Sequence, residues 1–562
     1  MKKQLGLLLF ALLISFSACK VKENADLILL NGAIYTADSL DHVFSAMAIG
    51  KDKVLAIGTD KEMMMLKSEN TKTIDLGGKF VMPGLNEGHA HFLALGKSMI
   101  NIDLQETRSW EEIVLKVAVK TKQLPVGAWI EGRGWHQDKW KASSDLKFNG
   151  YPYHDLLSAA SPAHPVVLYH ASGHALIANG KAMELAGINQ ETTSPVGGRI
   201  VKDKQGKLTG VFEENAMGLI ERALDEYEQK SSPQEVYELV KKQVKMAVEK
   251  SLEYGITSFQ DAGSSLKQIN LLHSLSEKGE IPIRLNVMFH ENPESALEKM
   301  DSLPFHSYNQ DMFRVASIKA YVDGALGSYG AWLQEDYADN PGVKGQTLVP
   351  VEMLAKLANK ANSLGLQVCM HAIGDKGNHE VLNIYEKVGI GPENRWRIEH
   401  AQHLLREDIP RFNALGVIAS MQAIHCTSDA PFVVKRLGQE RAKSSSYIWR
   451  SLLDAGVHFA NGTDAPVEKI NPFECIYAAI TRKRLDNGME FFPEEKMTRT
   501  EALKSYTIWN AYASFEENLK GNLVPGKKAD FIVLDKNLLQ CPDLEVPLTK
   551  VLSVYIDGKK IR

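Results

Sequence analysis

Eight short runs rich in β-branched and aliphatic residues recur through the middle of this chain, at 85–91, 256–261, 283–289, 315–321, 366–372, 396–400, 417–422 and 457–464. Longer stretches of helical periodicity, such as 233–254 and 351–364, lie between most of them. Strands alternating with helices predict parallel βαβ units. About eight such units are the size of a (β/α)8 barrel. The segment from about residue 100 to 250 breaks this rhythm and reads as an insertion between the first and second barrel strands.

The two ends have a different texture. Residues 26–36 read as strand, turn at Asn31-Gly32, strand, and 45–57 as a hairpin. Residues 529–535 and 551–558 are strands of the same kind. The expected fold class is therefore α/β: a TIM-like barrel with an insertion after strand one, and a small β-sandwich built from both termini. The expected divisions are a leader at 1–19, sandwich at 25–80, barrel at 81–514 and sandwich again at 515–562.

A chain of 562 residues with 44% hydrophobic and 24% charged residues can bury a core of that size. Its net charge of −4 gives no electrostatic footprint for nucleic acid. The leader stands apart. Lys2 and Lys3 precede an apolar stretch, 5–16, that is short for a bilayer span. Small residues then lead to Cys19, a pattern similar to bacterial lipoprotein signals. It implies export to the cell envelope and a lipid anchor on Cys19. Phe16, where leucine is commoner, leaves ordinary signal-peptide cleavage open. The other cysteines, Cys369, Cys426, Cys475 and Cys541, are far apart and show no CxxC spacing, and Cys369 and Cys426, in or beside apolar runs, read as buried free thiols.

The chemistry sits at the ends of the predicted strands. His89 and His91 are two apart, so on a strand their imidazoles share a face. Alone, the pair reads equally as one core and one solvated histidine. But His371, His400 and Asp464 also end predicted strands. In a parallel barrel all these ends meet at one mouth. Neutral imidazoles with one carboxylate suit zinc. A zinc ion lowers the pKa of bound water to about 7, and an aspartate beside it can shuttle the proton.

These segments resemble the amidohydrolase superfamily of metal-dependent hydrolases: 83–91 (PGLNEGHAH), 371–375 (HAIGD), 397–402 (RIEHAQ), 462–466 (GTDAP) and 520–530 (KGNLVPGKKAD). Within it the chain is similar to the branch that includes N-substituted formamide deformylase. That likeness rests on 129–135 (WIEGRGW), Gly173-His174-Ala175 with Asn179, 319–326 (KAYVDGAL) and Val467-Glu468. The resemblance implies one or two divalent metal ions. His89 and His91 hold the first, His371 and His400 the second, and Asp464 serves as ligand and general acid/base. It also implies a bridging carbamate on Lys319. Unmodified, and paired with Asp323, that lysine would favour one ion. Glu87 stands where the family often has aspartate, at a position that is not a ligand.

Further polar residues are candidates for the substrate pocket. His174 reads as a carbonyl polariser reaching in from the insertion, and Trp135 with Trp140 as an aromatic wall. Gln422 and His425 follow strand seven. Asp323 follows strand four, as a ligand anchor or a partner for Lys319. Tyr329 and Arg482 enter by position only. The implied activity is hydrolysis of a C–N amide bond other than a peptide bond. The resemblance implies an N-substituted formamide or similar small molecule as the substrate, attacked by hydroxide at the metal. Cyclic amides, lactones and deaminase substrates need the same metals. A non-catalytic ligand-binding lipoprotein is the alternative of another class, and homo-oligomers stay open.

Overall fold

The computed structural model describes residues 24–137, 140, 150–228, 230, 232–303 and 311–562. Eight parallel strands form one sheet in sequential order: β1 (Leu85–Ala90), β2 (Ile256–Ser264), β3 (Arg284–Phe289), β4 (Phe313–Tyr321), β5 (Gln367–Ala372), β6 (Arg397–His400), β7 (Ile418–Met421) and β8 (Phe459–Asn461). Each overlaps one of the eight expected runs. The sheet curls until its edges meet. Past the end of β8, the Asp464 N–H donates to His89 O at 2.7 Å, and the His91 N–H donates to Ala465 O at 2.8 Å. Asn510 cements the seam by donating to Asn86 O at 2.6 Å and Asn461 O at 2.7 Å. Gly88 makes that approach possible, since a β-carbon there would lie 2.6 Å from the Asn510 amide.

Register brings the site residues to neighbouring levels near the C-terminal ends of the strands. Lys319 pairs with Cys369, Tyr321 with His371, and His371 with Glu399. Helices cover the outside of the barrel. One of them, Pro233–Glu253, starts at a Ser232/Glu235 capping box with proline in its first turn, and buries Val244, Ala247, Val248 and Leu252. A second runs over Val351–Ser363.

Between β1 and β2 the chain builds a mixed six-stranded sheet. Its order is Gly198–Lys202, Leu208–Glu214, Ala175–Ala178, Val166–His170, Ile130–Trp135 and Ile102–Asp103. Trp110, Trp135, Trp140 and Tyr151 form one apolar cluster of this region, and Leu176, Phe212 and Ile220 belong to another. The chain ends form two more sheets. One holds Lys53–Gly58, Ala46–Gly50, Leu27–Leu30 and Lys72–Asp75. The other places Phe531–Leu534 between Val551–Ile556 and Phe80–Pro83, so strands from opposite termini pair directly. Leu29, Met47, Val81 and Phe531 share one buried cluster with neighbours from both sheets. Each such side chain contributes roughly 1.5–3 kcal/mol when fully buried.

Cys369, Cys426 and Cys475 are buried free thiols, and Cys541 is partly exposed. Among the described residues no helix is long and apolar enough to cross a membrane. The leader and Cys19 lie outside the described residues.

A buried ion pair bolts the terminal sheets to the barrel. Arg284, at the start of β3, donates to Asp530 at 2.7 and 3.0 Å and to Asp557 at 2.6 Å. Burial pushes the Asp530 carboxyl up, but Arg284 outweighs it and holds the group below its ordinary value. A depressed carboxylate stabilises the fold above its unfolded pKa, near 3.9, and this is lost as pH falls through the folded value. Asp530→Asn removes one of the two carboxylates that hold Arg284, leaves Asp557 as its partner, and should cost about 1.5–3 kcal/mol at neutral pH. Urea unfolding at pH 7 and below pH 4 checks this, because the gap from the parent protein should narrow in acid.

Candidate metal centre

At the C-terminal mouth of the barrel, ligand atoms of His89, His400 and Asp464 lie within 4.8 Å of one another. Asp464 Oδ1 is 3.5 Å from His89 Nε2 and 3.2 Å from His91 Nε2. The His371 ring stands 4.5 Å from that of His400. All five expected ligands of the strand ends are thus brought together. His400 and Asp464 adopt left-handed backbone, with φ of 73° and 57°. Such non-glycine residues cost about 1–3 kcal/mol each and collect at functional sites.

The donor set fits a divalent cation. His89 Nε2, His371 Nε2 and Asp464 Oδ1 are buried and have no hydrogen-bond partner among the described residues. Unpaired buried polar atoms are costly, so three in one cluster call for an occupant. Burial pulls the His91, His371 and His400 imidazoles below their ordinary value, keeping them neutral, the form that binds metal. Burial alone would raise the Asp464 carboxyl, but His425, hydrogen-bonded to Oδ2, and the imidazoles of His89 and His91 beside Oδ1 hold it well below the carboxylate range.

A further set of residues aims these ligands. His89 Nδ1 makes a short hydrogen bond with Glu399. Glu399 is gripped in turn by Arg397, whose Nε lies 2.6 Å from Oε1. Burial opposes ionisation of Glu399, yet Arg397 and His89 keep its carboxyl well below its usual value. His400 Nδ1 meets Gln422 Oε1 at 2.7 Å. Glu87 accepts the Thr463 N–H at 2.7 Å and its hydroxyl at 3.1 Å, fixing the turn before Asp464. A β-carbon on Gly462 would lie 2.4 Å from Glu87 Oε1, so this turn needs glycine.

Lys319 is buried beside the cluster. Its Nζ lies 4.5 Å from the Tyr321 ring centre and 3.5 Å from Ala262 O. The expected pairing with Asp323 is not formed. Both Asp323 oxygens take backbone N–H groups instead, from Ile373 at 2.9 Å and from Gly374 and Trp332 at 2.8 Å. Asp323 thereby ties the loop after β4 to the loop after β5 and is not a ligand anchor. Burial raises its carboxyl to about 7. Gln422 likewise does not face substrate, because its amide is used by His400 and Ser420 O. Trp135 is no pocket wall either. Its indole N–H donates to Leu168 O at 2.8 Å, and its ring is packed beside Trp140, Tyr151 and His170. Arg482 is fully buried, with guanidinium bonds to Phe491 O and Tyr447 O. Tyr329 stacks under Arg436.

His174 and His425 do reach the site. The His174 ring lies 5.0 Å from that of His371, and its Nδ1 is 2.8 Å from Glu214 Oε2. Burial opposes its protonation, but Glu214 prevails and raises its pKa. His425 lies 3.3 Å from Asp464 Oδ2 and 3.6 Å from Glu468. Burial is again outweighed by these carboxylates, and its pKa rises to about 10. Two cavities meet at His174, His371, His400 and Asp464. A small inner one continues to His425, Asp429 and Phe432. A larger outer one continues to Arg133, Lys319 and Tyr321.

Glu399 and Glu214 were not anticipated. Glu399 had a signal, since Arg397 and Glu399 alternate on one face of the strand that ends in His400. Glu214 had none, being contributed by the insertion some 40 residues from His174.

The sequence profile of the amidohydrolase family matches residues 72–561. The Arabidopsis thaliana protein LONG AFTER FAR-RED 3 is 32% identical over 96% of this chain and 91% of its own length. The N-substituted formamide deformylase of Arthrobacter pascens is 26% identical over 95% of this chain and 97% of its own. A crystal structure of a metal-dependent hydrolase from Pyrococcus horikoshii OT3 superposes with a TM-score of 0.73 at 29% identity, covering 92% of this chain and 99% of that one. With its profile matched along most of the chain and its histidines and aspartate gathered at the barrel mouth, the protein belongs to the amidohydrolase family of metal-dependent hydrolases.

Proposed function

We propose that the protein hydrolyses the C–N bond of an N-substituted formamide or a related small amide. The observation that carries this reading is the cluster of His89 Nε2, His371 Nε2 and Asp464 Oδ1, buried and unpartnered around one centre. His89, His91 and Asp464 would hold one divalent ion, with zinc the best match to nitrogen and carboxylate donors. His371 and His400, with a carbamate on Lys319, would hold a second. Metal bound there would supply Lewis acidity and a more acidic water.

The chain's own groups do the rest. Asp464 Oδ1 faces the ligand imidazoles and Oδ2 faces His425. Its carboxylate is placed to take a proton from the attacking water and to return it to the departing nitrogen. His174, fixed by Glu214, which favours its protonated form, is placed to donate a hydrogen bond where the carbonyl oxygen gains charge. The inserted sheet supplies His174 at the mouth. A neighbouring side pocket favours a bulky substituent: it borders Lys319 and is lined by Phe289, Leu348, Val349 and Met353. The relative that acts on N-substituted formamides supports the same chemistry.

Asp464→Asn should retain most bound metal and lose about 10²–10⁴-fold in turnover. Formate and ammonia release from formamides, ring amides and deaminase substrates is the assay. Formate from an N-substituted formamide supports the proposal, whereas ammonia alone would favour a deaminase. Gln422→Met removes the acceptor that orients His400 and should weaken metal retention about 10–100-fold. Competition with a chelator measures that without any substrate. For the leader, the reading is export and lipid attachment at Cys19. Cys19→Ala should abolish incorporation of labelled fatty acid and release the protein from the membrane fraction.

A further inference from the structure

Arg133 lies within the Ile130–Trp135 strand of the insertion, in the WIEGRGW segment, and lines the outer cavity together with His91, Asp464 and Pro466. Its guanidinium is poorly satisfied. Nε reaches Pro466 O at 3.4 Å and Nη2 reaches Ala171 O at 3.4 Å, both long contacts to neutral carbonyls. No carboxylate among the described residues forms an ion pair with it. Glu214 and Glu221 line the same cavity, yet Glu214 is engaged by His174, and neither pairs with Arg133. By contrast, buried Arg284 and Arg397 each have a carboxylate partner.

The backbone makes room for this side chain. Gly173 has a φ of +77°, and a β-carbon there would sit 3.1 Å from Nη2. A largely buried cation held this way is costly in the free protein. Its cost falls when an anion enters. A guanidinium offers parallel N–H groups that match a carboxylate in a bidentate pair. A dianion such as a phosphate monoester fits less well, because Glu214, Glu221 and Asp464 surround the same space.

We propose that Arg133 is the receptor for a substrate carboxylate, so that the compound processed at the Asp464 cluster is an amide that carries a carboxylate group. The proposal rests on the hydrolytic reading of the cluster for its reaction, while the anion site itself rests on Arg133. It makes Arg133 a specificity-determining residue, outside the set that holds metal or moves protons.

The test compares N-formylphenylalanine with N-formylphenethylamine, which differ only by the carboxylate. Binding to zinc-loaded Asp464→Asn protein is measured by calorimetry, so that turnover does not intervene. With Arg133 present, the carboxylate compound should bind roughly 10- to 100-fold more tightly, the range of a charge-assisted bond. That advantage should vanish in Arg133→Met and survive in part in Arg133→Lys, which keeps the charge without the fork. Equal binding of the two compounds, or no binding of the carboxylate at millimolar concentration, overturns the proposal. So does a preference that persists in the methionine variant, or tighter binding of 2-phenylethyl phosphate. If the Arg133-dependent preference is present but the wild-type protein hydrolyses neither compound, the amide-hydrolase reading fails and the carboxylate site stands.

Discussion

The chain Arg397–Glu399–His89 is the interaction on which the site depends. A carboxylate and a guanidinium inside a barrel are each expensive to bury, and they persist only as a pair with their remaining bonds filled. Arg397 meets that condition by also donating to Gly88 O at 2.8 Å and Ser420 Oγ at 2.7 Å. Glu399 is thereby fixed and ionised beneath the mouth. It accepts the hydrogen bond of the His89 Nδ1–H, which leaves the Nε2 lone pair facing the centre. Gln422 does the same for His400. The tautomers that suit a metal are therefore imposed by the fold. The unpaired ligand atoms and the left-handed His400 and Asp464 lower stability locally, a loss that a bound metal would offset.

The barrel supplies the cluster, and the insertion lines the cavity beside it. His174, Glu214 and Arg133 all come from that insertion. Glu214 reaches far enough to touch the barrel: a β-carbon on Gly324 would lie 1.9 Å from its Oε1, and one on Gly330 2.2 Å. Those two glycines therefore matter to the orientation of His174, although both belong to the loop after β4 and neither contributes a functional group.

Much of this was legible in the sequence because barrel geometry converts linear position into place. A residue at the end of a parallel strand must stand at the mouth, so His89, His371 and His400 were found without coordinates; Asp464 was found alongside those histidines, although β8 stops at Asn461 and Asp464 sits in the turn beyond it. Residues just past a strand end are harder. Gln422 and Asp323 both follow strands, and a polar side chain there can face the mouth or tie down its own loop. Here the backbone N–H groups of Ile373, Gly374 and Trp332 claimed Asp323, and His400 claimed Gln422. Trp135 looked like a pocket wall because an aromatic after Gly-x-Gly reads the same inside a core. Its indole N–H had a buried carbonyl to satisfy, which drew it into the insertion. Arg133 could not be singled out, because its distinguishing property is a missing partner, and a missing partner exists only in three dimensions.

Charge links the occupancy of the cluster to the state of Lys319. Among the groups facing the centre, Asp464 is the anion available to offset a first ion, since Glu399 is neutralised by Arg397. A second divalent ion beside His371 and His400 adds two positive charges in a buried site. Lys319 as an ammonium, held over Tyr321, opposes that ion. Converting it to a carbamate changes its charge by two units, from cation to anion, and removes the repulsion while adding a ligand. Low local dielectric magnifies both effects. One ion with an unmodified lysine and two ions with a carbamate are thus the electrostatically consistent states. Two ions with an ammonium would leave the excess charge unbalanced.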